Sequence, residues 1–226
     1  MEDGKVMTKI IYEDNHLLVV IKPANIPVQL DSSNDLDLLT ELKNYIKEKY
    51  NKPGNVYLGL VHRLDRPVSG VMVFAKTSKA ASRLSEQIRN NEFKKTYYAV
   101  VEGIPNKKGT FKDRLLKDTK TNIVTVNDKG KEAILEYDLI NTKDNLSLVK
   151  INLITGRSHQ IRVQFSHHGY PLYGDMKYNN NVKDNIALFS NKIEFKHPIT
   201  KVKMVFEENP QDKYPWSLFK EDLWEK

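Results

Sequence analysis

From Phe93 to Val101 the chain is apolar on both sides of an extended backbone, with Phe93, Tyr97, Ala99 and Val101 on one side and Tyr98 and Val100 on the other. A strand with one wet face alternates apolar and polar residues. A two-faced run instead belongs in the middle of a sheet that is covered front and back. This segment therefore reads as a central strand and calls for strands as neighbours.

The sequence supplies them. Lys9–Tyr12 and Leu17–Ile21 read as short strands around the turn Glu13-Asp14-Asn15-His16, and Lys22-Pro23-Ala24-Asn25 ends the second. Val56–Val61 and Gly70–Ala75 read as strands, followed by shorter ones at Thr110–Leu115, Asn122–Val126, Ala133–Ile140 and Leu146–Leu153. Ile186–Phe195 and Lys201–Phe206 form a final pair. Helical spacing appears at Leu38, Leu39, Leu42, Tyr45 and Ile46, with caps on offer in the polar loop Asp31–Asp35. It recurs at Ala81, Leu84 and Ile88 behind Thr77 or Ser78. Ser158–His168 reads as a third helix capped by Ser158, and Trp216, Phe219 and Leu223 as a short terminal one. Strict strand–helix alternation is absent. The expectation is one α+β domain over residues 1–226, with a mixed, mainly antiparallel β-sheet flanked by helices and loops. Its core is placed at about 9–206, with a C-terminal extension at 207–226.

Bulk chemistry narrows the class. No apolar run is long enough to cross a membrane as a helix, and the start lacks the basic-then-apolar layout of a secretory signal. Cysteine is absent, which removes disulfides and thiolate chemistry and fits a reducing cytoplasm. The formal net charge is +7 at pH 7, a field that attracts polyanions, of which nucleic acid is the commonest in a cell.

Three segments concentrate chemistry. In His62-Arg63-Leu64-Asp65-Arg66-Pro67 one carboxylate lies between two arginines and runs into a turn. This is either a surface ion pair worth at most about 1 kcal/mol or a nucleophile kept ionised. In Thr155-Gly156-Arg157-Ser158-His159-Gln160-Ile161-Arg162, Gly156 permits a tight turn, and a helix would bring His159 and Arg162 to one face. Lys94-Lys95-Thr96-Tyr97-Tyr98 sets lysines beside a tyrosine pair. Such a strand can stack a base while meeting phosphate, although Tyr-Tyr on a strand more often means one core and one surface residue. The histidines lack metal-binding spacing, so no metal is expected. Phosphate-binding glycine loops and a serine-nucleophile elbow are missing too.

Together these segments resemble the RluA-type pseudouridine synthases, in the form without an N-terminal S4 domain. His62-Arg63-Leu64-Asp65 with Ser69-Gly70 and Phe74-Ala75-Lys76 is similar to that family's catalytic segment, and Lys95-Thr96-Tyr97 to its second motif. Thr155–Arg162 followed by Gly169, Pro171 and Gly174-Asp175 is similar to the third, and Lys22-Pro23-Ala24 to an early Lys-Pro segment. Val68, Asn25, Gln29 and Gln164 depart from the residues usual at those places, and none of these departures falls at the motif residues Asp65, Tyr97 or Arg162.

The resemblance implies an isomerase that converts uridine to pseudouridine in ribosomal or transfer RNA, with no cofactor. The glycosidic bond breaks, the uracil turns, and a carbon–carbon bond forms at its C5. Asp65 is the implied catalytic residue; attack at C1′, attack at C6 and proton removal at C2′ all stay open. Tyr97 is implied to pack on the base, Ile161 to floor it, and Arg162 to keep Asp65 charged. Arg63 is implied to fill the space the uridine leaves. His62, Arg66, Lys95, Arg157 and His159 are the further RNA-binding candidates. With the S4 RNA-binding module not expected, the catalytic domain itself must hold RNA. The implied protein is a monomer in the cytoplasm, with RNA as its partner and no membrane. The rival reading is a non-catalytic basic RNA-binding or chaperone protein, which leaves Asp65 without a role. A metal-dependent nucleic-acid hydrolase is a poorer third.

Overall fold

The computed structural model describes residues 8–31, 35–179 and 184–224. The expectations on the first five residues, and on Ser32, Ser33 and Asn34 as helix caps, lie outside them. In chain order the elements begin with β1 (Lys9–Glu13), β2 (Leu17–Lys22), α1 (Leu38–Lys49), β3 (Gly59–Leu60), β4 (Ser69–Ala75) and α2 (Ser78–Arg89). Then come β5 (Lys94–Glu102), β6 (Lys108–Asp118), β7 (Ile123–Val126), β8 (Lys131–Lys143), β9 (Leu146–Leu153) and α3 (Gln160–His167). β10 (Leu188–Lys196), β11 (Lys203–Glu207), a 3-10 turn at Trp216–Phe219 and α4 (Lys220–Leu223) complete the order. This is the α+β class expected. Two compact units divide the chain, one running through Phe93 and including Ile193–Glu208, the other Lys94–Lys192 with the residues from Asn209 onward.

In the first unit β2 is antiparallel to both β1 and β4, in a register that sets Leu17 opposite Ala75 and Lys22 opposite Gly70. Alternate residues Leu17, Val19, Val71, Val73 and Ala75 face a core shared with Ala80, Leu84, Phe93, Ile193 and Phe195. The Phe93 and Phe195 rings stack with centroids 5.2 Å apart. Thr77 caps α2 by accepting from the Ala80 amide, as expected. The buried stripe is Ala80, Leu84 and Gln87, with Ala81 and Ile88 at its margin. Gln87 is tolerated inside because its amide satisfies both the carbonyl and the N–H of Lys196. The cap of α1 is Asp37, two residues beyond the expected loop, accepting from the Thr40 amide and hydroxyl. The expected strand Val56–Val61 is reduced to β3. Leu58 is buried but Tyr57 folds back over Gly59, where a Cβ would lie 2.7 Å from its hydroxyl, so the segment cannot alternate against β4.

Glu13 ends β1 with its carboxylate only 8% exposed. Burial pushes its pKa up, but donors from Lys49 (2.7 Å), Lys76 (2.6 Å), Tyr50 (2.8 Å) and Tyr45 (2.9 Å) outweigh it and bring the group to about 2. A depressed carboxyl stabilises the fold above its unfolded-state pKa, and that contribution is lost as pH falls through the folded value. Glu13→Gln should therefore lower the melting temperature at neutral pH and flatten its decline below about pH 4.5. Melts across pH 2–7 check this, and an acid limb as steep as wild type would contradict it.

In the second unit β5, β9, β8, β6 and β7 lie side by side in that order, each antiparallel to the next. Val100 also donates to the Ala187 carbonyl on the other side of β5, and Tyr97, Tyr98, Ala99, Val100 and Val101 are all buried, as a central strand requires. Both tyrosines are thus inside, against the reading of one in and one out. Tyr97, Ile151, Tyr137 and Gly109 form one cross-strand row. A Cβ on Gly109 would sit 2.5 Å from the Tyr137 ring, so glycine there makes room for tyrosine. α3 packs Val163 on Leu115, Val124 and Ala133, while Phe165 meets Phe111 edge-on at 5.0 Å. The 3-10 turn and α4 bury Trp216, Phe219 and Leu223, as their spacing suggested. Among the described residues no helix is long and apolar enough to cross a membrane.

α3 differs from expectation at its start. Ser158 does not cap it. His159 occupies that position with a left-handed backbone (φ 52°) and no side-chain cap. Gln160 does the work from inside the helix: its Oε1 accepts from the Arg157 amide and the Thr155 hydroxyl, and its Nε2 donates to Ile134 O and Gln164 Oε1.

Candidate active site

In the first unit, Asp65 sits half-buried at the head of a turn closed by the Val68 amide donating to the Asp65 carbonyl (3.0 Å). Beneath it lies Lys22, the last residue of β2, with no exposed surface. Its Nζ donates to the carbonyls of Pro23 (2.9 Å), Arg66 (2.9 Å) and Val68 (2.8 Å), matching an ammonium's three donors to three acceptors. Burial pushes Lys22 down to about 7, and the negative charge of Asp65 opposes that shift. A buried cation thus clamps the turn on both sides of Pro67 and fixes the backbone that carries Asp65. Lys22→Met should leave three carbonyls without their donor, at about 1–3 kcal/mol for each that stays dry. The expected result is a loss of at least about 3 kcal/mol in urea unfolding. Wild-type stability would show that the turn holds itself.

The neighbouring candidates have local duties. Arg66 donates to the Asn25 carbonyl and pairs with Asp31 and Asp35, all at the surface. His62 accepts the Val73 amide at Nε2 (3.1 Å), and its ring lies 5.4 Å from that of Phe93. Arg63 is exposed.

In the second unit, Tyr97 lies on β5 with 5% of its surface exposed, and Lys95 lies two residues earlier on the same face. Ile161 and Arg162 are buried in the first turn of α3. The Arg162 guanidinium grips Asp175 through Nε (2.8 Å) and Nη2 (2.6 Å), and its plane lies 5.2 Å from the Tyr178 ring. Asp175 also accepts from the amides of Lys177 and Tyr178. Tyr178 in turn ties His159 to this cluster. Its hydroxyl accepts from the Val124 amide and shares a hydrogen bond with His159 Nδ1, 2.6 Å away. His159 and Arg162 therefore converge, as their spacing suggested, but on Tyr178 rather than along one helix face. Arg157 donates through Nε to the Glu132 carbonyl.

Three residues that hold these side chains or their backbone in place were not among the candidates: Lys22, Asp175 and Tyr178. The signal for Lys22 was a lone lysine after five consecutive apolar residues, and for Asp175 its place after Gly174 in the motif-like stretch. Tyr178 had none.

A family model described as RNA pseudouridylate synthase matches residues 16–167, more than half of the chain and all three chemistry-bearing segments. "Ribosomal large subunit pseudouridine synthase C" of Buchnera aphidicola subsp. Baizongia pistaciae is 36% identical over 203 residues, covering 84% of this chain and 62% of the relative. "Ribosomal large subunit pseudouridine synthase D" of Zymomonas mobilis is 34% identical over 228 residues, covering 93% of this chain and 72% of the relative. This chain thus spans less than two thirds of the length of the Buchnera relative. Among solved structures, "Human RNA Pseudouridylate Synthase Domain Containing 4" shares the fold, with a TM-score of 0.78 at 21% identity over 95% of this chain and 93% of that one. By its sequence, the chain belongs to the RNA pseudouridylate synthase family.

Proposed function

We propose that this protein isomerises uridine to pseudouridine in RNA, with Asp65 as the catalytic carboxylate and ribosomal RNA as the first substrate to test. The observation that carries this reading is the Asp65 turn: a carboxylate on a backbone clamped by a fully buried lysine, inside the family match. A surface ion pair needs no such support. The names of the relatives support ribosomal over transfer RNA.

The chemistry follows from the parts. A paired uridine must leave its stack, at a cost of a few kcal/mol. Tyr97 stacking on the extruded base recovers about 1–3 kcal/mol. Ile161 gives the uracil an apolar floor, and Arg162, already oriented by Asp175, is the counter-charge proposed for Asp65. Arg63 enters the space the base vacates. His62, Arg66, Lys95, Arg157 and His159 face the RNA backbone. The protein acts as a monomer in the cytoplasm. Mapping pseudouridine in total RNA from cells with and without the gene tests this. Loss of one or a few sites in large-subunit ribosomal RNA is expected, and unchanged maps in ribosomal and transfer RNA alike would contradict it.

A further inference from the structure

Two lysines on the second unit's sheet are matched at the surface. Lys108 meets Asp138 at 2.9 Å and Lys112 meets Glu132 at 3.6 Å. Lys95 is different. Its ammonium lies over the Gly156 backbone, so close that a Cβ at position 156 would stand 3.1 Å from Nζ. Gly156 has no left-handed backbone, and a Cβ there would crowd Nζ by a few tenths of an ångström. No acidic side chain pairs with Lys95 among the described residues, and burial lowers its pKa with no counter-charge opposing the shift. The next residue along, Arg157, is held by Nε on the Glu132 carbonyl and likewise lacks a carboxylate partner among the described residues.

Two cations thus flank one glycine without a carboxylate partner among the described residues, one of them with its ammonium drawn out of water. Resting on the reading of Tyr97 as the base-stacking residue, we propose that Lys95 and Arg157 form a clamp over Gly156 for the phosphodiester of the target nucleotide. A strand advances about 6.6 Å over two residues, which carries Lys95 from the stacked base toward the phosphate of the same nucleotide. Phosphate fits the point charge of the ammonium and the fork of the guanidinium, and an anion there relieves the cost of a dehydrated, unpaired lysine. Uridine carbonyls offer acceptors but no charge.

The test uses the full chain and a short RNA from which wild type releases tritium placed at C5 of the target uridine. Absence of that release overturns the stacking reading and this clamp together. Given release, each phosphodiester around the target is replaced in turn by a neutral methylphosphonate. One position beside the target should weaken wild-type binding about 10-fold, as should Lys95→Met on unmodified RNA. Together the two changes should cost no more than either alone, and Lys95→Met should reduce the slope of log Kd against log salt by about 0.7. Losses that multiply at every position, or a Kd unchanged while turnover falls, would assign Lys95 to the base and overturn the clamp. Should Lys95→Met fail to fold, the exposed Arg157→Met carries the same cycle, with the same outcomes deciding.

Discussion

Asp65→Asn should lower turnover by at least about 1,000-fold, some 4 kcal/mol of transition-state stabilisation, while RNA affinity stays within about 3-fold of wild type. The reason lies in how the residue is built in. The turn around Asp65 is held by main-chain carbonyls, its own to the Val68 amide and those of Arg66 and Val68 to Lys22. Exchanging a carboxylate for an amide of the same shape disturbs none of these bonds. What it removes is the negative charge needed to attack carbon or to take a proton. Single-turnover kinetics beside RNA titrations separate the two effects. A variant that loses binding and turnover in proportion would make Asp65 an RNA contact instead.

Asp175→Ala should be the most damaging change to stability, costing about 3–5 kcal/mol, because it leaves the Arg162 guanidinium buried without its paired carboxylate. The side chains involved are 6% and 0% exposed, so water cannot replace what is lost. Removing both charges should be milder, since a buried pair exchanged for apolar residues of similar volume is often near neutral. Arg162→Met with Asp175→Leu should thus recover much of the stability lost in Asp175→Ala, yet stay inactive if Arg162 serves the reaction. Urea unfolding reads the first and label release the second. Recovery of both would confine Arg162 to a structural duty.

How much of this was legible beforehand depended on whether the physics was local. β5 was readable because two-faced apolarity has one explanation, and its burial at Tyr97 through Val101 agrees. Thr77 was readable because a cap acts three residues away. The start of α3 was not. Ser158 is the better cap by type, but Gln160 is drawn inward by Ile134 and Gln164, and this leaves His159 in a left-handed backbone. Nothing nearby in sequence reveals a strand 26 residues upstream as the anchor. The partner of Arg162 was hidden similarly, with Asp175 brought in by a turn after the helix. Lys22 ran against a sound rule, that lysine stays at the surface. Three carbonyls turned toward one point override that rule, and no pattern of residue types announces them. Asp65, Tyr97 and Arg162 were legible as motif residues, and Lys22 and Asp175 stood in motif-like stretches, but the contacts these two make were not readable from the sequence.

The most direct test of the account is hydrogen release at C5. Forming the carbon–carbon bond of pseudouridine expels that hydrogen, whereas binding, hydrolysis or chaperoning of RNA leaves it in place. Purified protein is mixed with ribosomal and transfer RNA transcripts carrying tritium at C5 of uridine, and label reaching the solvent is counted. The account predicts release that stops at a fixed small number of uridines per transcript, with none from Asp65→Asn. Wild-type protein that binds these RNAs but releases no label, or full release by Asp65→Asn free of Asp, would contradict it.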